Sequence, residues 1–153
     1  RSRGLGDVYK RQHPQKAIPT FVRKALNDEP LPVYGDGKHR RMWLHVEDHC
    51  RAIFHLLEKG KVGEIYHVAG EQELENLELA IKIMEFVGKP LTVNKPMDMI
   101  QFVPDYNIRP GHDRRYALNV KKLRATGWAP RYSLEEGLKQ TVKWYVDNRW
   151  WLQ

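Results

Sequence analysis

The densest group of charged side chains able to bind a ligand lies between residues 108 and 116. Around a Pro-Gly turn at 110–111, which cannot continue a helix, the chain carries Arg109, His112, Arg114 and Arg115. A guanidinium group binds phosphate oxygens in a two-pronged fork and keeps its charge, so several converging arginines suit a diphosphate. Arg40 and Arg41 add a second basic point. An ordinary solvated charge run is the alternative, and charge alone favours it.

Other chemistries have weaker support. The sequence contains neither a G-x-G-x-x-G nor a G-x-x-x-x-G-K loop, one of which a complete dinucleotide enzyme would need to hold phosphates. His45 and His49 are four residues apart, but the first falls in a predicted strand and Glu47 does not fit a metalloprotease motif, so a metal site is disfavoured. Cys50 is the single cysteine, which excludes an internal disulfide, and we expect a reduced thiol in the core.

The overall charge invites a nucleic-acid-binding interpretation. Among 153 residues, 26 Lys and Arg face 19 Asp and Glu, a net charge of +7. Residues 1–12 show no helical or strand period, and the string D-V-Y-K-R-Q at 7–12 is also one reading frame of an adapter used for sequencing libraries. We therefore predict a non-native tail from adapter read-through over 1–12 and one domain over 13–153; a genuine basic arm is the alternative. Without the tail, 22 cations face 18 acids, a net charge of +4.

Apolar spacing predicts short strands alternating with helices, which is typical of an α/β or α+β unit. Helices are predicted over 16–26 and over 47–57, the second with Cys50, Ile53, Phe54 and Leu57 on one apolar stripe. A third helix is predicted from an N-cap at Asn76 to Gly88, and a short fourth from Asn119 to Gly127. A capping box at 133–136 predicts the start of the last helix. Strands are predicted over 31–34, over 41–46 as the return after a turn at 35–37, and over 64–69, 91–93 and 100–103. Because no apolar run approaches ~18 residues and the N-terminus has no apolar leader, we expect a cytoplasmic protein without membrane contacts.

Four motifs make the sequence recognisable. They are P-L-P-V-Y-G-D-G at 30–37, W-L-H-V-E-D-H at 43–49, R-P-G-H-D-R-R-Y-A-L-N at 109–119 and G-W-A-P at 127–130. In this order, over 13–151, they resemble the C-terminal half of the dTDP-glucose 4,6-dehydratases, which are extended short-chain dehydrogenase/reductases. The first two motifs occur in looser form in other extended reductases, whereas the third is much more specific.

The resemblance implies a fold and an activity. It implies an α/β chain that is the nucleotide-sugar-binding C-terminal portion, 13–153, of an enzyme whose N-terminal Rossmann half binds NAD. The family oxidises the sugar at C4, eliminates water across C5 and C6, and returns the hydride to C6. Its catalytic groups lie in the half that this chain lacks, so we expect no catalytic residue here and no activity of the chain alone. The full-length protein is expected to be a homodimer that acts on dTDP-glucose and binds no nucleic acid.

The same resemblance assigns substrate-binding residues. Lys16 matches a family lysine, Pro32 and Tyr34 match the strand beside the nucleotide base, and Arg41 and Arg109 match the arginines at the diphosphate. His112 and Tyr116 belong to the same contact loop as Arg109. Asn76 matches a substrate-contacting asparagine, although an N-cap role explains it equally well. The chain departs from the family pattern at Met42, His45, His67 and Ile108, where an aspartate, a tyrosine, an asparagine and an aspartate are usual.

Two other functions remain open from the sequence. One is a different extended reductase acting on a UDP- or GDP-sugar, such as a UDP-glucuronate decarboxylase or a nucleotide-sugar epimerase. The other is a basic binding module, for which salt-sensitive affinity for DNA or RNA should survive deletion of residues 1–12. If the chain is half of an enzyme, it should also expose apolar surface that the missing half would cover.

Overall fold

The computed structural model describes residues 16–89, 99–104 and 113–152 and shows an α/β chain. Its helices and strands follow in the order α1 (Ala17–Leu26), β1 (Leu31–Tyr34), β2 (Arg40–Met42), α2 (Val46–Lys59), β3 (Glu73–Glu75), α3 (Asn76–Phe86), β4 (Ile100–Val103), β5 (Arg115–Tyr116), α4 (Lys121–Arg124), α5 (Leu134–Asp147) and a final 3-10 turn (Arg149–Leu152). The predicted strand over 91–93 lies outside the described residues. Among the described helices, none is long and apolar enough to cross a membrane.

The main core forms where α1, α3 and α5 pack together and against β1. α1 and α5 contribute apolar stripes as their spacing predicts, for example Ile18 and Val22 from α1 and Tyr145 from α5, all fully buried. α3 contributes Leu79, Ala80, Ile83 and Met84. α5 begins at the predicted capping box, in which Ser133 Oγ accepts the Glu136 N–H at 3.2 Å. Leu152 of the final turn is buried in the same core, so the apolar C-terminal segment packs back onto the domain.

Two small sheets replace the hairpin that the sequence predicted. β1 pairs in parallel with β4, whereas β2 is the centre of a second sheet in the order β3-β2-β5, antiparallel to β3 and parallel to β5. The prediction of a return strand over 41–46 is therefore wrong in both partner and length. β2 ends at Met42, and the chain then turns towards α2, whose N-cap residue is His45. The backbone at Gly70 lies against the residue that follows β2, since a Cβ on Gly70 would be 1.8 Å from the Trp43 carbonyl oxygen.

Three further expectations need correction. Residues 64–69 form no strand, because in the described parts of the chain they have no neighbouring strand to pair with their backbone groups. Asn76 is the first residue of α3 rather than its N-cap, because Glu75 takes that position and the Glu78 carboxylate accepts the Glu75 N–H at 3.0 Å. Cys50 is exposed rather than buried in the core.

The position of Cys50 follows from how α2 packs. Its buried residues are Asp48 and Ala52, because the second, smaller core of Leu44, Leu123 and Trp128 lies on that side. The predicted stripe faces the other way: Ile53 is 47% exposed, Phe54 69% and Leu57 77%. The helix itself is correctly predicted and ends at Gly60 as expected.

Candidate functional site

The sheet β3-β2-β5 separates two kinds of side chain onto its two faces. Paired residues of neighbouring strands share a face, and successive residues alternate. Arg41 is paired with Leu74 on one side and Tyr116 on the other, so these three lie on one face. Arg40 and Arg115 are paired with each other and lie on the opposite face. The two adjacent arginines of β2 therefore have different surroundings.

Arg41 is held in place by backbone carbonyl groups and an aromatic ring. Its Nη1 donates to the carbonyl oxygens of Arg40, at 2.7 Å, and Arg114, at 3.3 Å. Its Nη2 donates to the carbonyl oxygen of Asp113 at 2.9 Å. The guanidinium carbon lies 4.1 Å from the centroid of the Tyr116 ring, within the range of a cation–π contact. This preorganised cation is the feature that a phosphate ligand would use.

The other described arginines of this region pair with carboxylates. Arg40 contacts Glu75 at 2.7 Å, Arg114 binds Asp36 through two nitrogens at 3.1 and 2.7 Å, and Arg115 contacts Glu73. The Arg114 hydrogen bonds, followed by the bond from the Lys38 N–H, lower the pKa of Asp36 to about 2. The hydrogen bond from Arg115 likewise lowers the pKa of Glu73. The basic run at 113–116 is thus largely charge-compensated, which the sequence did not predict.

A pocket of about 130 Å³ opens beside Arg41. Its lining consists of Arg41, Met42, Ala69, Arg115, Tyr116, Ala117 and Leu118. Cavities of roughly 150 Å³ hold a benzene-sized ring, so this Arg41 pocket is one subsite rather than room for a whole nucleotide sugar. Its lining mixes a preorganised cation with apolar side chains, an arrangement that suits a ligand with an anionic group next to an uncharged ring.

A second pocket, of about 170 Å³, continues along the same two chain segments. Met42 and Ala69 line the Arg41 pocket, and the residues that follow them, Trp43 and Gly70, line the second. His45 also lines it, and its ring packs against the Tyr132 ring at a centroid distance of 4.3 Å, with the two planes tilted by 52°. A ligand longer than one ring could therefore extend from the Arg41 pocket into this second pocket.

Of the eight predicted site residues, the structure brings Arg41 and Tyr116 together in the Arg41 pocket. Pro32 and Tyr34 lie half-buried on β1 and do not line it, although the Asp36–Arg114 ion pair joins the turn after β1 to the segment before β5. Arg109 and His112 lie outside the described residues.

The two remaining predicted residues are held by backbone contacts. The Asn76 N–H donates to the carbonyl oxygen of His39 at 2.9 Å, which places the asparagine beside β2 but outside the pocket lining. Lys16 is exposed at the start of α1, where its carbonyl oxygen accepts the Thr20 N–H, and it does not line the pocket either. The structure thus assigns a pocket position to neither residue.

Sequence reasoning missed part of the pocket lining. The pocket is also lined by Ala69, Ala117 and Leu118, whose apolar side chains give no hint of a binding role in the sequence. The folding of the chain brings them beside Arg41. Arg115 was recognised as a cation, but its pairing with Glu73, 42 positions away along the chain, could not be foreseen. Met42 was noted as a departure from the family pattern, and the structure places it in the pocket.

Comparison with known proteins decides the family. The family model described as GDP-mannose 4,6 dehydratase matches residues 6–141. The chain belongs to the GDP-mannose 4,6 dehydratase family. The dTDP-glucose 4,6-dehydratase of Streptomyces niveus is 48% identical over 142 residues, which cover 92% of this chain and 40% of that protein. The chain therefore spans about two fifths of the length of the curated relatives it matches.

Solved structures of related proteins agree with this family assignment. The crystal structure of dTDP-glucose 4,6-dehydratase from Streptomyces venezuelae with NAD and TYD bound has a TM-score of 0.83 at 41% identity and covers 96% of this chain and 44% of that one. UDP-glucose 4-epimerase from Thermotoga maritima with UDP-glucose has a TM-score of 0.79 at 28% identity, covering 94% and 44%. The expected α/β fold of an extended reductase, present only in part, is confirmed.

The described residues of this family member do not fit NAD. A dinucleotide's pyrophosphate binds where a glycine-rich turn opens a helix. The four longest described helices instead begin after Lys16, His45, Glu75 and Ser133, none of which is a glycine. Nor do three or more His, Cys, Asp or Glu side chains gather into a metal site in these parts of the chain.

Proposed function

We propose that this chain is the substrate-binding portion of an NAD-dependent dTDP-glucose 4,6-dehydratase, a hydro-lyase that forms dTDP-4-keto-6-deoxyglucose for deoxysugar biosynthesis. The observation that carries the proposal is Arg41, fixed over Tyr116 at the mouth of a ring-sized pocket. It stands in a chain that is 48% identical to a dTDP-glucose 4,6-dehydratase over 92% of its length. Cytoplasmic location and a homodimeric full-length enzyme belong to the same proposal.

Within this proposal the chain's residues bind and orient the substrate. Arg41 holds a phosphate oxygen, and its stacking on Tyr116 fixes the direction from which the phosphate approaches. Arg109 and His112 add to the diphosphate contacts, as the family resemblance implies. Pro32 and Tyr34 bound the nucleotide base, and Asn76 and Lys16 meet the remainder of the substrate.

The chemical steps are assigned to a part of the enzyme that this chain does not contain. The pocket lining holds two arginines, a tyrosine and apolar side chains, but no carboxylate or histidine to act as a general acid or base. NAD likewise belongs to that other part in the proposal, since the described residues do not fit it. The chain alone is therefore a binding unit without turnover.

The exposed stripe of α2 supports the idea of an incomplete protein. Ile53, Phe54 and Leu57 form a helical stripe more exposed than such side chains usually are, and Val62 and Ile65 farther along the chain are exposed too. Residues 64–69, predicted as a strand, have no strand neighbour in the described chain. Since the chain spans only 40% of its relatives' length, we assign the matching remainder of the enzyme as the occupant of this surface.

Two alternatives keep some support. The epimerase from Thermotoga maritima has nearly the same local fold, so another extended reductase acting on a UDP-sugar is the nearest alternative. A nucleic-acid-binding module is less well supported, because Arg40, Arg114 and Arg115 already have carboxylate partners that a polyanion would have to displace.

A chimaera tests the proposal directly. This chain replaces the matching 40% of the Streptomyces niveus relative, and the purified protein is incubated with dTDP-glucose, UDP-glucose or GDP-mannose. We expect a product of dTDP-glucose lighter by one water, detected by mass spectrometry. Because the chemical steps come from the other part of the chimaera, its choice among the three nucleotides reports on this chain, and a preference for UDP-glucose or GDP-mannose over dTDP-glucose would favour another extended reductase.

A binding measurement on the chain alone tests the proposal even if the chimaera does not fold. The chain as given is titrated with dTDP in a calorimeter. We expect Arg41→Gln to abolish the binding, and Arg149→Gln, which removes an arginine that does not line the pocket, to leave it unchanged. Equal affinity of the two variants would contradict the assigned role of Arg41.

A further inference from the structure

Asp36 lies in the tight turn that follows β1. The glycines on either side of it, Gly35 and Gly37, have positive φ angles of 59° and 76°, and the Gly37 N–H donates to the carbonyl oxygen of Tyr34 at 3.1 Å. Within the turn the Asp36 carboxylate accepts the Lys38 N–H at 3.0 Å. Because an aspartate that binds the backbone two residues ahead is fixed by its own turn, the direction of this carboxylate is set locally.

The same carboxylate binds the segment that precedes β5. Both of its oxygens accept hydrogen bonds from Arg114, at 3.1 and 2.7 Å, in the two-pronged geometry that gives an arginine–carboxylate pair its direction. The two residues are 78 positions apart along the chain, and β1 and β5 belong to different sheets. The Asp36–Arg114 pair therefore connects the two sheets through side chains.

The segment that Asp36 anchors is also the one that holds Arg41. Arg41 donates to the carbonyl oxygens of Asp113, at 2.9 Å, and Arg114, at 3.3 Å. Arg114 thus contacts Asp36 through its side chain and Arg41 through its backbone. A shift of the 113–114 backbone would distort both bonds to the Arg41 guanidinium, and hydrogen bonds weaken steeply as their geometry departs from linear.

We propose that Asp36 is a positioning residue of the Arg41 pocket: by holding Arg114, it fixes the two carbonyl groups that keep the Arg41 guanidinium ready for a phosphate. Asp36 does not line the pocket itself. Without its carboxylate the charge of Arg41 remains, but the guanidinium must be ordered when a ligand binds, which lowers affinity. The identity of the ligand rests on the proposed function, whereas the effect on Arg41 does not depend on any ligand.

Nuclear magnetic resonance of arginine side chains tests the positioning without a ligand. In the isotope-labelled chain, the guanidinium signals of Arg41 are those missing from Arg41→Gln. We expect separate Nη signals in the unchanged chain, because bonds to carbonyl oxygens hinder rotation of the group, and averaged signals in Asp36→Asn. Asp28→Asn is the matched control, since Asp28 is also an exposed turn aspartate bound to a cation, Lys89, at 2.7 Å. It should leave the Arg41 signals unchanged.

The same variants are then titrated with dTDP. Exposed ion pairs change an equilibrium constant by up to about fivefold, so we expect Asp36→Asn to weaken dTDP about three- to fivefold and Asp28→Asn less than about 1.5-fold. Arg114→Gln breaks the same pair from the other side. Because Asp36 acts through Arg114, the double variant should bind dTDP no more weakly than the weaker of the two single variants.

Each outcome decides a different statement. Unchanged Arg41 signals in a folded Asp36→Asn overturn the positioning role and leave the proposed function intact. A dTDP affinity that does not fall although the signals are averaged overturns it too, as does a double variant whose loss is the product of the two single losses. If the unchanged chain binds no dTDP, the proposed function fails, while the Arg41 signals still decide the positioning role. Should Asp36→Asn not fold in a thermal melt, Arg114→Gln carries the same comparison.

Discussion

Two parts of this molecule have sequences of the same kind and very different packing. In α1 and α3 the apolar residues recur at three and four, and those of the main core, such as Val22 and Leu79, are fully buried. In α2 the residues Ile53, Phe54 and Leu57 recur at the same spacing but lie largely exposed. Periodicity therefore indicates that a helix face is to be buried, but not that its partner belongs to the same stretch of chain.

The largest expected effect on stability comes from replacing one leucine in each of these two parts with alanine. Leu79→Ala leaves a cavity in the main core and should lower the free energy of unfolding by about 2–5 kcal/mol. Leu57→Ala removes an exposed side chain and should change it by less than about 0.5 kcal/mol. Urea unfolding of both variants measures the difference. Similar losses would mean that the α2 stripe is buried after all.

The next effect concerns Asp48, a buried carboxylate that attaches α2 to the 131–132 segment. Asp48 is fully buried and accepts the N–H groups of Arg131, at 2.8 Å, and Tyr132, at 3.0 Å, as well as the Arg51 guanidinium. Asp48→Ala leaves two backbone donors of this partly buried network without an acceptor and should cost about 1–3 kcal/mol in urea unfolding.

The neighbouring acid provides the control for that variant. Glu47 is exposed, and its carboxylate accepts the Tyr132 hydroxyl at 2.6 Å. Glu47→Ala should therefore cost clearly less than Asp48→Ala. If the order is reversed, α2 is attached through its exposed acid, and the buried carboxylate has a smaller role than its three hydrogen bonds indicate.

These differences explain how much the sequence alone could predict. The bounds of α1 and the capping box of Ser133 and Glu136 are local features, and both predictions were confirmed. The pairing of β1 with β4 joins residues about 70 positions apart, so it has no local signal, and the hairpin prediction was wrong. The prediction that Cys50 lies in the core was wrong because no local signal shows which side of α2 is covered. Its side of the helix is exposed in the described chain.

The site shows the same division. Arg41 and Tyr116 were predicted from guanidinium chemistry and family resemblance, and they meet in the structure. The carboxylate partners of Arg114 and Arg115 were not predicted, because Asp36 and Glu73 lie far away along the chain. The chemistry of the guanidinium group identified arginine as the binding residue type. Strand pairing, however, decided which arginines have a carboxylate partner that balances their charge.

A smaller effect is expected when the α2 stripe is made polar. The double variant Phe54→Gln, Leu57→Gln removes exposed apolar surface, so the unfolding free energy should stay within about 0.5 kcal/mol of the unchanged chain. Aggregation on warming, followed by light scattering, should begin at a higher temperature. Phe102→Gln, at an exposed position of β4, is the matched control. A double variant that unfolds more readily would show that these side chains already have a partner.

The smallest expected effect is the loss of stability at acid pH, which should differ between the sheet region and the segment after α2. Asp36, in the turn after β1, has a pKa lowered to about 2 by its bonds from Arg114, and Glu64, after α2, has a pKa lowered by its bond from Lys122. A carboxyl whose folded pKa is depressed stabilises the fold above its unfolded pKa, near ~4, and this contribution is lost as the pH falls through the folded value. For Asp36 the loss should therefore fall between about pH 4 and pH 2.

Melting temperatures taken at intervals from pH 5 to pH 2 measure these contributions. Asp36→Asn removes the titrating group, so its melting temperature should fall less steeply over this range than that of the unchanged chain. Glu64→Gln should flatten the curve less, because the pKa of Asp36 is lowered by a backbone N–H as well as by a two-pronged arginine, whereas the lowered pKa of Glu64 has one lysine as its cause. A steeper contribution from Glu64 would mean that the segment after α2 is held by its charges more firmly than the sheet region, despite its exposed apolar surface.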